Sequence, residues 1–143
     1  MNMTLAEKGP HVPPPRLAPR FEKVSKAVQS WAGVISATHW SFAAPDEVDG
    51  ADFYVGEMEL GHIHLDGEVH VPFPAVLRKA LIEAGIARRF QWSNGFVELT
   101  IKTAADSERA QWLFQLNYDR LHGATTAELL ARVGHRARGA AHL

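Results

Sequence analysis

The chain contains no cysteine. Disulfides, thiolate metal sites and cysteine nucleophiles are therefore excluded, and a reducing cytoplasm is the expected compartment. No apolar run approaches the roughly 18 residues of a membrane span, so no membrane partner is expected. Excess charge is also missing: fifteen Lys and Arg against sixteen Asp and Glu give a formal net charge of -1. Bulk electrostatics thus offer nothing to nucleic acid or to an anionic membrane surface, and nucleic acid is not an expected partner on charge grounds. The first residues carry Lys8 but no apolar h-region, which speaks against a signal peptide. There is no P-loop, no Gly-x-Gly-x-x-Gly and no Gly-x-Ser-x-Gly. Nucleotide cofactors and hydrolase triads thereby lose sequence support.

What is present fits one domain. A chain of 143 residues, 46% of them hydrophobic, can bury an ordinary core. Five of the eight prolines fall at Pro10, Pro13, Pro14, Pro15 and Pro19. Residues 1–16 therefore read as a disordered Pro-rich arm, residues 17–134 as a single domain, and residues 135–143 as a mobile tail carrying Arg136 and Arg138.

Within the domain, Phe21, Val24, Val28 and Trp31 recur at helical spacing and predict a helix from Pro19 to about Ala32, stopped by Gly33. Val34–Phe42 reads as a strand, Ala43–Ala51 as a loop, and Phe53 to Leu60, running on toward Leu65, as a second strand. Asp66-Gly67 marks a hairpin into a third strand ending at Pro72. Pro74–Gly85 is a short helix. Arg88–Trp92 and Phe96–Lys102 form a second hairpin. Thr103 caps a long helix with Ala110, Leu113, Phe114, Asn117 and Leu121 on one face, and Thr125–Val133 closes the series as a short helix. The fold class that follows is α+β, an antiparallel sheet of about five strands with helices packed on one face.

Chemistry concentrates in the central hairpin. His62, His64 and His70 are three of the eight histidines within nine residues. His62 and His64 share a strand face, with about 6.7 Å between their Cα atoms. Two imidazoles so placed can ligate one metal ion, but a third ligand is expected. His70 joins them only if the register allows. A two-residue turn at Asp66-Gly67 sends it to the opposite face, whereas a three-residue loop, Asp66 to Glu68, sets it against His64. Both registers stay open: the segregation of Ile63, Leu65, Val69 and Val71 favours the second, the Asp-Gly pair the first. Glu57 and Glu59 are further candidates, as ligand or base, only if Gly61 is bulged. The competing reading makes all three histidines hydrogen-bonded structural residues. Arg88 and Arg89 beside Phe90 and Trp92 offer a weaker, nucleic-acid-like feature.

Several stretches resemble one family: His39, Phe53-Tyr-Val-Gly56, Glu59-Leu-Gly-His-Ile-His64, Asp66-Gly67, Val71-Pro-Phe-Pro74, Gly95-Phe96 and Ala110 to Arg120. Together they resemble the bacterial and fungal luciferase-like domains of unknown function, over about residues 34 to 121. Many of those relatives carry aspartate at position 70, so His70 is a departure. The resemblance implies light-emitting oxidation by name only and brings no catalytic residues. The element order is also similar, more distantly, to MmcQ/YjbR-like proteins, which implies the α+β architecture and a loose association with nucleic acid.

The leading expectation is an uncharacterised luciferase-like domain acting as a small-molecule or protein binding and interaction module. The alternative is a metal-dependent enzyme acting on a small molecule at the His62/His64 face, with His62, His64 and His70 as metal ligands. A nucleic-acid-binding module is the further alternative. The only cofactor with support is a divalent metal ion. A homodimer, formed by an exposed sheet edge or by arm exchange, is the expected association.

Overall fold

The computed structural model describes residues 12–141. Helix α1 (Pro19–Gln29) leads into strands β1 (Val34–Trp40), β2 (Val48–Val55), β3 (Met58–His64) and β4 (Glu68–Pro72). Helix α2 (Ala75–Glu83), the short β5 (Arg88–Arg89), β6 (Phe96–Thr100), α3 (Ala104–Leu121) and α4 (Thr126–Ala141) follow. The strands form one sheet in the order β1-β2-β3-β4-β6-β5, and every neighbouring pair is antiparallel. The expected α+β class is what is seen.

The sheet has six strands because Phe53–Leu65 is two strands rather than one. Gly56, at φ 60°, supplies the positive φ that a tight turn between β2 and β3 requires. β2 also starts at Val48, inside the segment expected to be loop. Val48-Asp-Gly reads as a turn locally, yet Gly50 pairs with both His39 and His64. A Cβ at Gly50 would sit 2.0 Å from the Ile63 carbonyl oxygen, so only glycine fits between the neighbouring strands there.

Alternation sorts the two faces. Ala51, Phe53, Ile63, Val69, Val71, Val97 and Leu99 point to the helices and are fully or almost fully buried with Leu113 and Phe114 of α3. Phe53 and Phe114 meet edge to face, with centroids 5.6 Å apart. α3 starts at a capping box, in which the Thr103 hydroxyl accepts from the Asp106 amide and the Asp106 carboxylate accepts from the Thr103 amide.

Two local expectations are corrected. β5 ends at Arg89 rather than Trp92, and Trp92 is 81% exposed in the following turn. α4 runs to Ala141, so the first part of the expected tail is helical. It is tied there by Arg136, which donates to Glu108 and lies over the Trp112 ring. At the other end, residues 1–11 of the Pro-rich arm lie outside the described residues. Val12 and Pro13 lie against β1, where their carbonyls accept from the Thr38 amide and hydroxyl, and Leu17 is buried. Among the described residues, no helix is long and apolar enough to cross a membrane.

Candidate functional site

The face of the sheet turned away from α3 carries the histidines. β3 and β4 pair His62 with His70 and Ile63 with Val69. Neither register anticipated from the sequence is the one observed. The loop consists of Leu65, Asp66 and Gly67, with Gly67 at φ 90° and its amide donating to the His64 carbonyl. Leu65 is thereby released from the core and exposed. The parity is nevertheless that of a three-residue loop, so His62, His64 and His70 do share a face. His70 stands opposite His62 and diagonal to His64.

A β-bulge adds the carboxylate. Phe53 pairs with Gly61 and Tyr54 with Glu59, which leaves Leu60 as the extra residue. The bulge turns Glu59 onto the histidine face, where the His62 Nδ1–H donates to its Oε2 at 2.7 Å. Glu57 falls in the exposed β2–β3 turn and drops out of the candidate set.

Each remaining histidine repeats the arrangement with a different carboxylate. His64 Nδ1 donates to Asp49 Oδ2 at 2.8 Å, and His70 Nε2 donates to Glu98 Oε2 at 3.0 Å. His39, on β1, donates from Nδ1 to Asp52 Oδ1 at 2.7 Å. Its ring stacks on His62, with centroids 4.2 Å apart and planes at 9°. Glu98 also accepts from Arg88. Phe90 stacks on His70, and Phe96 lies against His62.

These outer bonds fix the tautomers. Where a neutral ring's outer nitrogen donates to a carboxylate, its inner nitrogen carries only a lone pair. Two inner nitrogens close on the third: His62 Nε2 and His64 Nε2 each lie 3.0 Å from His70 Nδ1. Lone pairs so close repel unless a proton or a metal ion lies between them. Imidazole nitrogens around a tetrahedral zinc ion stand about 3.3 Å apart, close to this spacing. Among the described residues three sets of side chains offer ligand atoms within 4.8 Å of one another: His39/His62/His64, Asp52/Glu59/His62 and Glu68/His70/Glu98; His70 thus joins His62 and His64 through the two 3.0 Å contacts rather than as one of these sets.

Burial shifts the His62 and His70 imidazoles. It lowers the His62 imidazole well below its usual value, with His39, His70 and His64 adding to the shift and Asp52 opposing it. Burial likewise lowers His70, against the hydrogen bond to Glu98. Burial alone would raise Glu98, but the hydrogen bonds from Arg88 and His70 outweigh it and hold the carboxyl below its usual range. A histidine with a depressed folded-state pKa gives stability that is present above the unfolded value, about 6.5, and is lost as the pH falls through the folded value. Metal-free protein should therefore lose stability in denaturant titrations as the pH falls from about 6.5 toward the folded-state values. Replacing His62 by Gln should flatten the dependence.

His62, His64, His70 and, conditionally, Glu59 are legible in the sequence. Asp49, Asp52 and Glu98 carry no sequence signal of a role, and His39 only that of a family pattern. Asp52 was hidden because the start of β2 resembled a loop. Glu98 lay on a recognised strand, but its partner depends on the β4–β6 register.

This is an α+β domain whose open sheet face is built around a histidine–carboxylate cluster. Residues 57–117 match the family model described as Luciferase domain, as the Glu-Leu-Gly-His-Ile-His element led one to expect. The matched stretch includes Glu59, His62, His64, His70, Glu98 and Asn117 and stops short of His39, Asp49 and Asp52. No curated protein and no solved structure matches the chain, so the likeness to MmcQ/YjbR-like proteins gains no support.

Proposed function

We propose that the histidine face holds one divalent transition-metal ion, with His62 Nε2, His64 Nε2 and His70 Nδ1 as ligands, and that it acts on a small molecule at its His39/Asp49 end. The observation that carries this reading is the approach of His62 Nε2 and His64 Nε2 to His70 Nδ1, each at 3.0 Å, with each ring held from outside by a carboxylate. Such outer carboxylates orient metal-bound histidines and raise their basicity. Nitrogen and oxygen donors without thiolate suit zinc, iron, nickel or manganese.

An enzymatic role has more support than a purely structural ion or a passive binding module. The Glu59 and Asp52 end is closed, at 4% and 2% exposure. The His39, His64 and Asp49 end is half-open, and catalytic sites keep an accessible position. A bound ion there would supply Lewis acidity. His39, its Nδ1 held by Asp52, presents Nε2 toward that end as a proton acceptor.

The other readings have less behind them. Arg88 is engaged by Glu98 and Thr100, Arg132 by Asp119 and Arg136 by Glu108, so these cations are not left for phosphates. For a homodimer through sheet edges, β1 already meets Val12 and Pro13, and β5 is short and charged. A cysteine-free metal site with nitrogen and oxygen donors is compatible with the cytoplasm.

The test is elemental analysis of untagged protein. The expected result is close to one equivalent of a single transition metal. Metal-free protein that shows no rise in melting temperature with added Zn²⁺ would return the histidines to a structural role.

A further inference from the structure

We infer that Asn117 is a positioning residue for the histidine site, locking the β3 bulge that turns Glu59 onto His62. Asn117 lies on α3, across the sheet from the histidines, and is fully buried. Its Nδ2 donates to the carbonyl of Leu60, the extra residue of the bulge, at 2.9 Å. The amide cannot turn over. Arg120 Nε donates to Asn117 Oδ1 at 2.8 Å, and a guanidinium can only donate. The oxygen must therefore face Arg120 and the nitrogen must face Leu60.

The bulge needs such a restraint. An extra residue disrupts the ladder locally, so a bulged strand can relax toward regular pairing. Regular pairing would restore period-two alternation and carry Glu59 to the face opposite His62. His62 would then lose the acceptor that keeps its proton on Nδ1 and its lone pair on Nε2. Asn117 thus acts on the imidazole through Leu60 and Glu59 without touching it.

The experiment is a two-bond ¹H–¹⁵N correlation of the histidine rings in metal-free protein at mildly alkaline pH, paired with Zn²⁺ titration. Wild-type protein should show His62 as the Nδ1–H tautomer. Asn117→Asp, which keeps the shape and removes the donor, should shift His62 toward the Nε2–H tautomer and weaken zinc roughly 10–100-fold, as loss of outer-shell partners does. Arg120→Gln, at a partly exposed position, should move both readouts in the same direction by less, and it decides the matter if Asn117→Asp does not fold. Cooperatively folded variants that keep the wild-type tautomer would overturn the inference. Only the zinc arm rests on the metal reading. A tautomer change in a protein that never binds zinc would sustain the role of Asn117 and defeat the metal reading alone.

Discussion

Gly61→Ala should be the most damaging single-methyl change on the histidine strand, costing about 3–5 kcal/mol and lowering the melting temperature by about 10–15 °C. Gly61 sits in the bulge at φ 152°, a conformation side chains rarely adopt. A Cβ there would fall 2.6 Å from Phe114 Cε1 and 2.9 Å from the His70 carbonyl oxygen. The carbonyl belongs to β4 and cannot retreat without breaking the β3–β4 ladder. Phe114 is fully buried and held edge to face against Phe53, and a close-packed interior has no room to receive a displaced ring. Backbone strain and overpacking therefore add at one position. By contrast, Gly123→Ala meets no atom within 4 Å and bears only the strain of its φ of 103°, so it should cost less. Thermal melts of the two variants check the difference. Equal losses would mean that the close approach of Phe114 and His70 carries no weight.

The second large effect concerns the ligands. His62→Ala, His64→Ala and His70→Ala should each lower zinc affinity by at least roughly 100-fold, because two imidazoles seldom hold a divalent ion firmly. Their stability costs should differ. His62→Ala removes a 2.7 Å hydrogen bond that Glu59, at 4% exposure, cannot replace with bulk water, and should destabilise the metal-free protein most, by about 1–3 kcal/mol. His70→Ala leaves Glu98 with Arg88 as partner, and His64→Ala leaves Asp49 half-exposed. Both should cost less. His70→Asp should retain part of the affinity, since a carboxylate can also bind zinc. Calorimetric titration of the folded variants gives the affinities. An unchanged affinity in any of the three alanine variants would remove that residue from the ligand set.

The sequence was informative wherever periodicity alone decides. The buried faces of α1 and α3 and the shared face of His62 and His64 follow from repeats of 3.6 and 2. The antiparallel architecture follows from hairpin signals. Matters set by pairing between strands were harder to read. Whether His70 joins its neighbours depends on the β3–β4 register, and the actual loop, Leu65 to Gly67, begins one residue earlier than the Asp-Gly signal implied. His39 and Asp52 reach the site from β1 and β2, and Glu98 from β6, so no spacing along the chain links them to His62. Glu59 was readable only as a condition on Gly61, and the bulge that meets it is held by a helix far along the chain. The end of α4 was missed for a related reason. Residues 135–143 read as tail, while Glu108 and Trp112, which hold Arg136, lie on another helix.

X-ray absorption at the zinc edge, on protein loaded with one equivalent of Zn²⁺, tests the central claim most directly. The account predicts a first shell of nitrogen and oxygen near 2.0–2.1 Å with the multiple-scattering signature of about three imidazoles, reduced by one in His64→Ala. A shell made only of water or carboxylate oxygens, or one unchanged by His64→Ala, would contradict it.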